Sequence, residues 1–275
     1  MESLKTNSCN SATPCFFDPR WPVFFEDNHL LAVYKPSGLL VQGDRTGDPC
    51  LLDLGKRWLQ SRYHKPGNVF LAMVHRLDRP VAGVVLFART SKAASRLSSQ
   101  FRERAADKQY LAVVSGTVRT ESGRLIHHIE RRDRLSRVVA APTDRSQEAR
   151  LRYTVLNSNH GNSLLRIALE TGRRHQIRIQ LAHMGHPILG DLRYGADRPL
   201  PGGQIALLAQ VLRVNHPTQG HRLALISPIP LQWPWPDANP ADRPGLPWHW
   251  QAFKTAVSAA GGRDEPKRAR VVFFL

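Results

Sequence analysis

The chain has 275 residues, 41% of them apolar, enough to bury the core of one large domain or two small ones. Its 39 Lys and Arg against 22 Asp and Glu leave a formal charge of +17, an excess that points first to a polyanionic partner, most commonly nucleic acid. The longest strongly apolar run, Val84–Ala88, is far too short to span a bilayer, no basic amphipathic anchor is present, and Cys9, Cys15 and Cys50 lack CxxC spacing, which argues against a disulfide frame and a zinc site and fits a reducing cytoplasm.

Residues 1–18 are rich in Ser, Asn and Thr and carry neither a signal-peptide core nor the Arg-rich character of a transit peptide. They are expected to form a disordered tail before a domain spanning residues 19–232. "VFFEDNHLLAVYKPSGLLV" then reads as strand, turn, strand and loop. Residues 50–62 suit a short helix with Leu51, Leu54 and Trp58 on one face, and Val84–Ala88 suits a central strand covered on both sides. Thr90 or Ser91 can cap a helix in which Ala93, Leu97, Phe101 and Ala105 recur every four residues.

"YLAVVSG" (110–116) is another strand, followed by the basic stretch 124–137. "ARLRYTVL" and "SLLRIALETG" flank a turn at Asn157–Gly161. "RRHQIRIQLAHMG" predicts an amphipathic helix: Ile177, Leu181 and Met184 form the buried line, Arg174 and Arg178 lie on another face, and Gly185 stops it. Residues 233–275 form a Pro- and Trp-rich, then basic, extension, whose Trp233, Trp235, Trp248 and Trp250 are expected to pack onto the domain. Strands outnumber helices without regular alternation, so the class is α+β: a central mixed, mostly antiparallel sheet flanked by helices and loops.

The chemistry-bearing residues cluster in three places. In "HRLDRPVAG" (75–83), Asp78 sits between Arg76 and Arg79. Flanking positive charge favours the ionised carboxylate, so Asp78 is either a nucleophile or base, or one half of a solvated ion pair at a strand entrance. "TGRRHQIR" (171–178) places three Arg, a His and a Gln where a strand ends, and helix N-termini and Arg both attract phosphate. The stretch 124–137 adds Arg124, Arg131, Arg132, Arg134 and Arg137. Three separated basic elements, each abutting apolar structure, predict a nucleic-acid groove. His183 and His186 have no acidic or Cys ligand at a matching offset, so no metal site is expected. No GxGxxG, GxxxxGK[ST] or GxSxG occurs, and no cofactor is expected.

"HRLDRPVAG" resembles the HRLDR-x-x-S-G box of RluA-type RNA pseudouridine synthases, and "KQYLAVVSG" (108–116) is similar to their K-x-Y-x-A-x-V-x-G strand. "TGRRHQIRIQLAHMGHPILGDLRYG" (171–195) looks like their TGR-x-HQ-I/L-R helix and the loop after it, and "LLAVYKPSGLLV" like their opening strand and KPSG turn. The resemblance implies that Asp78 is the nucleophile, that Tyr110 packs against a flipped-out uridine, and that Arg178 holds the Asp78 carboxylate. It also implies that Arg76 enters the RNA stack, that Ile179 lines the base pocket, and that Arg131, Arg132, Arg134 and Arg137, with Arg174, contact RNA. Two departures stand out: Ala82 replaces the family's Ser, and residues 1–22 are too few for the N-terminal RNA-binding module many relatives carry.

The implied fold holds an RNA-binding catalytic cleft, and the implied substrate is ribosomal or transfer RNA, with a monomer expected. The implied reaction, breaking N1–C1′ and joining C5 to C1′, needs no metal or redox group. It needs an ionised carboxylate near the sugar, an aromatic platform and exclusion of water. A non-catalytic RNA-binding or chaperone protein is the alternative. A metal-dependent nuclease is disfavoured, because the sequence lacks clustered carboxylates.

Overall fold

Two apolar runs open the domain, and Asp27 makes the turn between them: its Oδ1 accepts from the backbone N–H groups of His29 (2.8 Å) and Leu30 (2.7 Å). The runs form β1 (Val23–Glu26) and the fully buried β2 (Leu30–Lys35). In this computed structural model, which describes residues 23–132 and 135–235, the remaining elements follow in order. They are α1 (Leu51–Arg62), β3 (Ala72–Met73), β4 (Ala82–Ala88), α2 (Ser91–Arg102), β5 (Asp107–Ser115), β6 (Ser122–Arg132), β7 (Leu135–Val139), β8 (Ser146–Asn159), β9 (Asn162–Leu169), α3 (Gln176–His183), β10 (Leu207–Asn215) and β11 (Arg222–Ile226). The expected tail 1–18 and Trp248 and Trp250 lie outside the described residues.

The strands make one sheet in the order β1-β2-β4-β10-β5-β9-β8-β6-β7, with β11 on β10 and β3 on β4. Among the described strands β4 and β10 pair parallel and the other pairs are antiparallel, so the α+β expectation holds. All seven residues of β4 are buried, as its unbroken apolar run requires of a central strand. Burying each of its larger side chains is worth roughly 1.5–3 kcal/mol. Gly83 permits the β4–β10 contact. Its φ is +128°, and a Cβ there would stand 2.2 Å from the Ala209 carbonyl oxygen.

Local signals explain most boundaries, and three expectations need correction. Thr90 caps α2 by accepting from the Ala93 N–H at 3.2 Å, but the helix stops at Arg102, so Ala105 falls outside its apolar stripe. Arg104 (φ +62°) turns the chain out, and the Ala105 N–H reaches back to the Gln100 carbonyl at 2.9 Å. The β8–β9 turn is shorter than Asn157–Gly161: pairing continues to Asn159↔Asn162, leaving His160 and Gly161 with positive φ, as a two-residue hairpin turn demands.

The largest departure is α3. It begins at Gln176, after Arg173 and Arg174, and every residue from Gln176 to Leu181 is buried, so it is not amphipathic. It packs against β6 and β7 and the turn at Leu192–Tyr194, which leaves no solvated stripe over its first turns. Gly185 does end it: at φ +84° its N–H donates to the Ala182 carbonyl and that of His186 to the Leu181 carbonyl, both at 3.0 Å. Trp233 and Trp235 are buried in the main core.

Candidate active site

Asp78 sits in the loop between β3 and β4, and the KPSG turn buttresses that loop from behind. The fully buried Lys35 donates its Nζ to the carbonyls of Pro36 (2.9 Å), Leu39 (2.7 Å) and Arg79 (3.1 Å). Burial pushes its pKa down to about 7, against the opposing pull of the Asp78 charge. Ser37 Oγ donates to the Pro80 carbonyl at 2.8 Å, and the Gly38 N–H to that of Arg79 at 2.8 Å. On the other side, His75 Nε2 accepts from the Leu86 N–H at 2.9 Å, and its ring stacks on Phe101. Burial, helped by the Lys108 charge, holds His75 down to about 3, so it is a neutral acceptor pinning the loop to β4.

The flanking arginines do not hold the carboxylate. Arg79 turns away, its Nη2 2.8 Å from Asp48 Oδ2 and its Nε donating to the Gly38 carbonyl. Arg76 is exposed on the cleft wall and has no hydrogen-bond or ion-pair partner among the described residues. The partner of Asp78 comes from a hundred positions along the chain: Arg178 Nη1 lies 3.2 Å from Asp78 Oδ2.

Arg178 is itself clamped. Its Nε and Nη2 donate to the two oxygens of Asp191 at 2.6 and 2.7 Å, and its guanidinium lies 5.0 Å from the Tyr194 ring centroid. Such a bidentate pair fixes the plane of the guanidinium, which aims the remaining Nη1 at Asp78. Burial opposes the Arg178 charge, but the hydrogen bonds and charge of Asp191, joined by Asp78, outweigh it and raise its pKa. Asp78 is 28% exposed and Arg178 only 7%, so the carboxylate faces the cleft while its cation stays behind.

His175 (φ +55°) brings Nδ1 to 2.7 Å from the Tyr194 hydroxyl and Nε2 to 3.6 Å from Asp78 Oδ2. Burial pushes it down to about 4 despite Asp78, so near neutral pH it is an uncharged neighbour of the carboxylate.

The cleft in front of Asp78 measures about 490 Å³, and Arg76, Asp78, Tyr110, His175, Ile177 and Arg178 all line it. Tyr110 stands on β5 between Ile167 of β9 and Ala209 of β10. Burial, then the Asp78 charge, raise its pKa, so the hydroxyl stays protonated.

Asp78, Arg76, Tyr110 and Arg178 therefore meet, whereas Ile179 does not join them. It is buried with Ile129 and Ala149 on the far side of α3, because two residues along a helix turn a side chain by about 200°. Ile177 takes the place on the cleft wall. Arg131 and Arg132 end β6, Arg137 stands on β7 with its Nη2 3.7 Å from Glu130, and Arg174 is exposed just before α3; none of the four lines the cleft. Arg134 lies outside the described residues. Sequence reasoning passed over Lys35, His175, Asp191 and Tyr194, although all four fall inside the quoted motifs.

A family model described as RNA pseudouridylate synthase matches residues 29–183, a span that includes Asp78, Tyr110 and Arg178. The chain is similar to ribosomal large subunit pseudouridine synthase D of Xylella fastidiosa, 34% identical over 226 residues that cover 76% of this chain and 66% of that protein. It is also similar to the protein of the same name from Pseudomonas aeruginosa, 33% identical over 232 residues, 78% of this chain and 69% of that one. The chain thus spans about two thirds of the length of these relatives. In fold it resembles human RNA pseudouridylate synthase domain containing 4, with a TM-score of 0.65 at 24% identity, covering 77% of this chain and 89% of that one. Among the described residues no helix is long and apolar enough to cross a membrane. The matched span and these likenesses establish that the chain belongs to the RNA pseudouridylate synthase family.

Proposed function

We propose that this protein isomerises uridine to pseudouridine in RNA, with Asp78 as the nucleophile. One observation carries the reading: Asp78 faces a cleft beside Tyr110 while a buried, Asp191-clamped Arg178 holds it from behind. A target uridine leaves its stack and lies against Tyr110, at a cost of a few kcal/mol that Arg76 offsets by filling the vacated space. The Asp78 carboxylate then acts on the ribose, either at C1′ or by assisting removal of the C2′ proton. The N1–C1′ bond breaks, the base turns, C5 bonds to C1′ as any Asp78–C1′ bond breaks, the C5 proton leaves to water, and N1 takes up a proton from water.

Arg178 keeps the carboxylate aimed through Nη1, since Asp191 occupies its other two donors on that side. Neutral His175 and protonated Tyr110 add no second charge to the reacting site. The basic hairpin residues Arg131, Arg132 and Arg137, with Arg174, hold RNA outside the cleft.

Ribosomal large-subunit RNA is the proposed substrate, because the similar bacterial proteins carry that name. Such a substrate supports a cytoplasmic location, and the protein is proposed to act as a monomer. The test uses RNA from a strain lacking the gene, labelled with tritium at uridine C5. Purified protein should release tritium from it. No release would overturn the proposal.

A further inference from the structure

The cleft wall also carries positive charge that the chain does not neutralise. Arg102, Arg104 and Lys108 line the cleft, and none of their side chains has a hydrogen-bond or ion-pair partner among the described residues. The nearby acids are engaged elsewhere. Glu103 accepts from Ser99 Oγ at 3.0 Å, and Asp107 pairs with Arg222 at 2.5 Å. Glu170, the second carboxylate on the cleft wall, is held by Arg124, Arg150 and Arg152. Lys108 is half-buried, its Nζ 3.4 Å from where a Cβ on Gly172 would stand.

Two further features suggest selection for an anion here. Arg104 occupies the left-handed position (φ +62°) that closes α2, a place glycine fills without strain, yet it presents a guanidinium to the cleft. Gln100 anchors this helix end to β10: it donates to the Asn215 carbonyl and accepts from the Asn215 N–H, both at 2.8 Å. The cations are therefore mounted on fixed backbone. Lys108 and Tyr110 sit two apart on β5, so both point to one face, about 7 Å apart along the strand. That separation suits a base and the phosphate of its own nucleotide.

We propose that Lys108, Arg104 and Arg102 form a phosphate cradle that grips a phosphodiester flanking the flipped nucleotide. The inference rests on the proposed RNA substrate and adds the subsite that fixes the register of the strand. On RNA binding a phosphate offsets the mutual repulsion of these cations: burial and the Arg104 charge hold the Lys108 pKa below its usual value. Each occupied phosphate contact releases counterions, so losing one flattens the salt dependence of binding.

The experiment uses the full chain and a large-subunit ribosomal RNA fragment whose uridine the wild type converts, with single neutral methylphosphonate linkages placed in turn around that uridine. Lys108→Met and Arg104→Gly should each weaken binding about tenfold and reduce the slope of log Kd against log salt by about 0.7–0.9. One flanking methylphosphonate should weaken the wild type by a similar factor and add nothing further in Lys108→Met. Arg104→Gly should melt no lower than the wild type, since glycine relieves the backbone. Wild-type affinity in both variants, or a Tm fall in Arg104→Gly with affinity intact, would overturn the cradle and reduce these residues to helix-end charges. If the wild type binds large-subunit RNA fragments yet converts no uridine in any of them, the proposed function falls, and the cradle as a subsite of it falls too.

Discussion

Asp191 does not line the cleft, yet through Arg178 it sets the aim of Asp78. In Asp191→Ala, Arg178 would lose two charge-assisted hydrogen bonds, at 2.6 and 2.7 Å, inside a site where the two side chains are 1% and 7% exposed. Stranding a buried guanidinium in this way costs about 3–5 kcal/mol. At roughly 2–4 °C per kcal/mol for a domain of this size, Tm should fall by about 6–20 °C. Asp191→Asn keeps one acceptor and should lose less, about 2–3 kcal/mol.

Turnover should drop at least about tenfold even at a temperature where the variant is folded, because Nη1 is no longer aimed at Asp78. The double variant Arg178→Met/Asp191→Leu separates the two effects. It leaves no buried charge unpaired, only the cleft-facing Asp78 without its partner, so it should recover much of the lost stability while remaining inactive. Thermal denaturation by circular dichroism and tritium release from C5-labelled RNA read the two quantities. An Asp191→Ala protein that melts like the wild type, or converts uridine at the wild-type rate, would refute the reasoning.

Three other outcomes follow from the geometry. Arg76→Ala should slow conversion of a uridine in a stem far more than one already unpaired, as single-turnover rates on matched substrates would reveal; equal losses would remove its role in extrusion. Gly83→Ala would put a Cβ 2.2 Å from a backbone oxygen of β10 at φ +128°, so it should cost more than about 4 kcal/mol and yield little soluble protein, and normal expression with an unchanged Tm would contradict the strand contact. Burial holds His75 down to about 3 and His175 to about 4, so the unfolded chain takes up those protons first as pH falls. The stability they lend is complete above about pH 6.5 and drains away from there toward those folded values. Tm measured from pH 7 to 4 should fall, and less steeply in His75→Gln; parallel curves would contradict the assignment.

The legible part of the site was the part encoded locally. Asp78 announced itself as a lone carboxylate among cations, and Tyr110 and Arg178 stood in motifs of fixed spacing. The local reading nevertheless named the wrong cations for Asp78. Arg79 was free to pair with Asp48 across a loop, and only the return of α3 against the sheet supplies Arg178.

The role of Asp191 was hidden for the same reason: thirteen residues after Arg178, it meets that side chain only because Gly185 ends the helix and the chain folds back. The helical pattern failed over α3 because periodicity presumes a solvated face, and a helix buried from Gln176 to Leu181 has none there. That also explains Ile179, whose apolar character suited the base pocket and the small cluster behind the helix equally well. The strands read cleanly because β2 and β4 are covered on both sides and carry unbroken apolar runs.

The measurement that bears most directly on the central claim is single-turnover conversion by Asp78→Asn, paired with its RNA binding isotherm. Asn fills the same space and removes one negative charge from a chain of net charge +17, so RNA affinity should hold or rise slightly. Conversion should be undetectable, since an amide cannot serve as the nucleophile. A variant that bound RNA normally and kept even about a tenth of wild-type conversion, a barrier increase of only about 1.4 kcal/mol, would show that Asp78 does not carry the reaction.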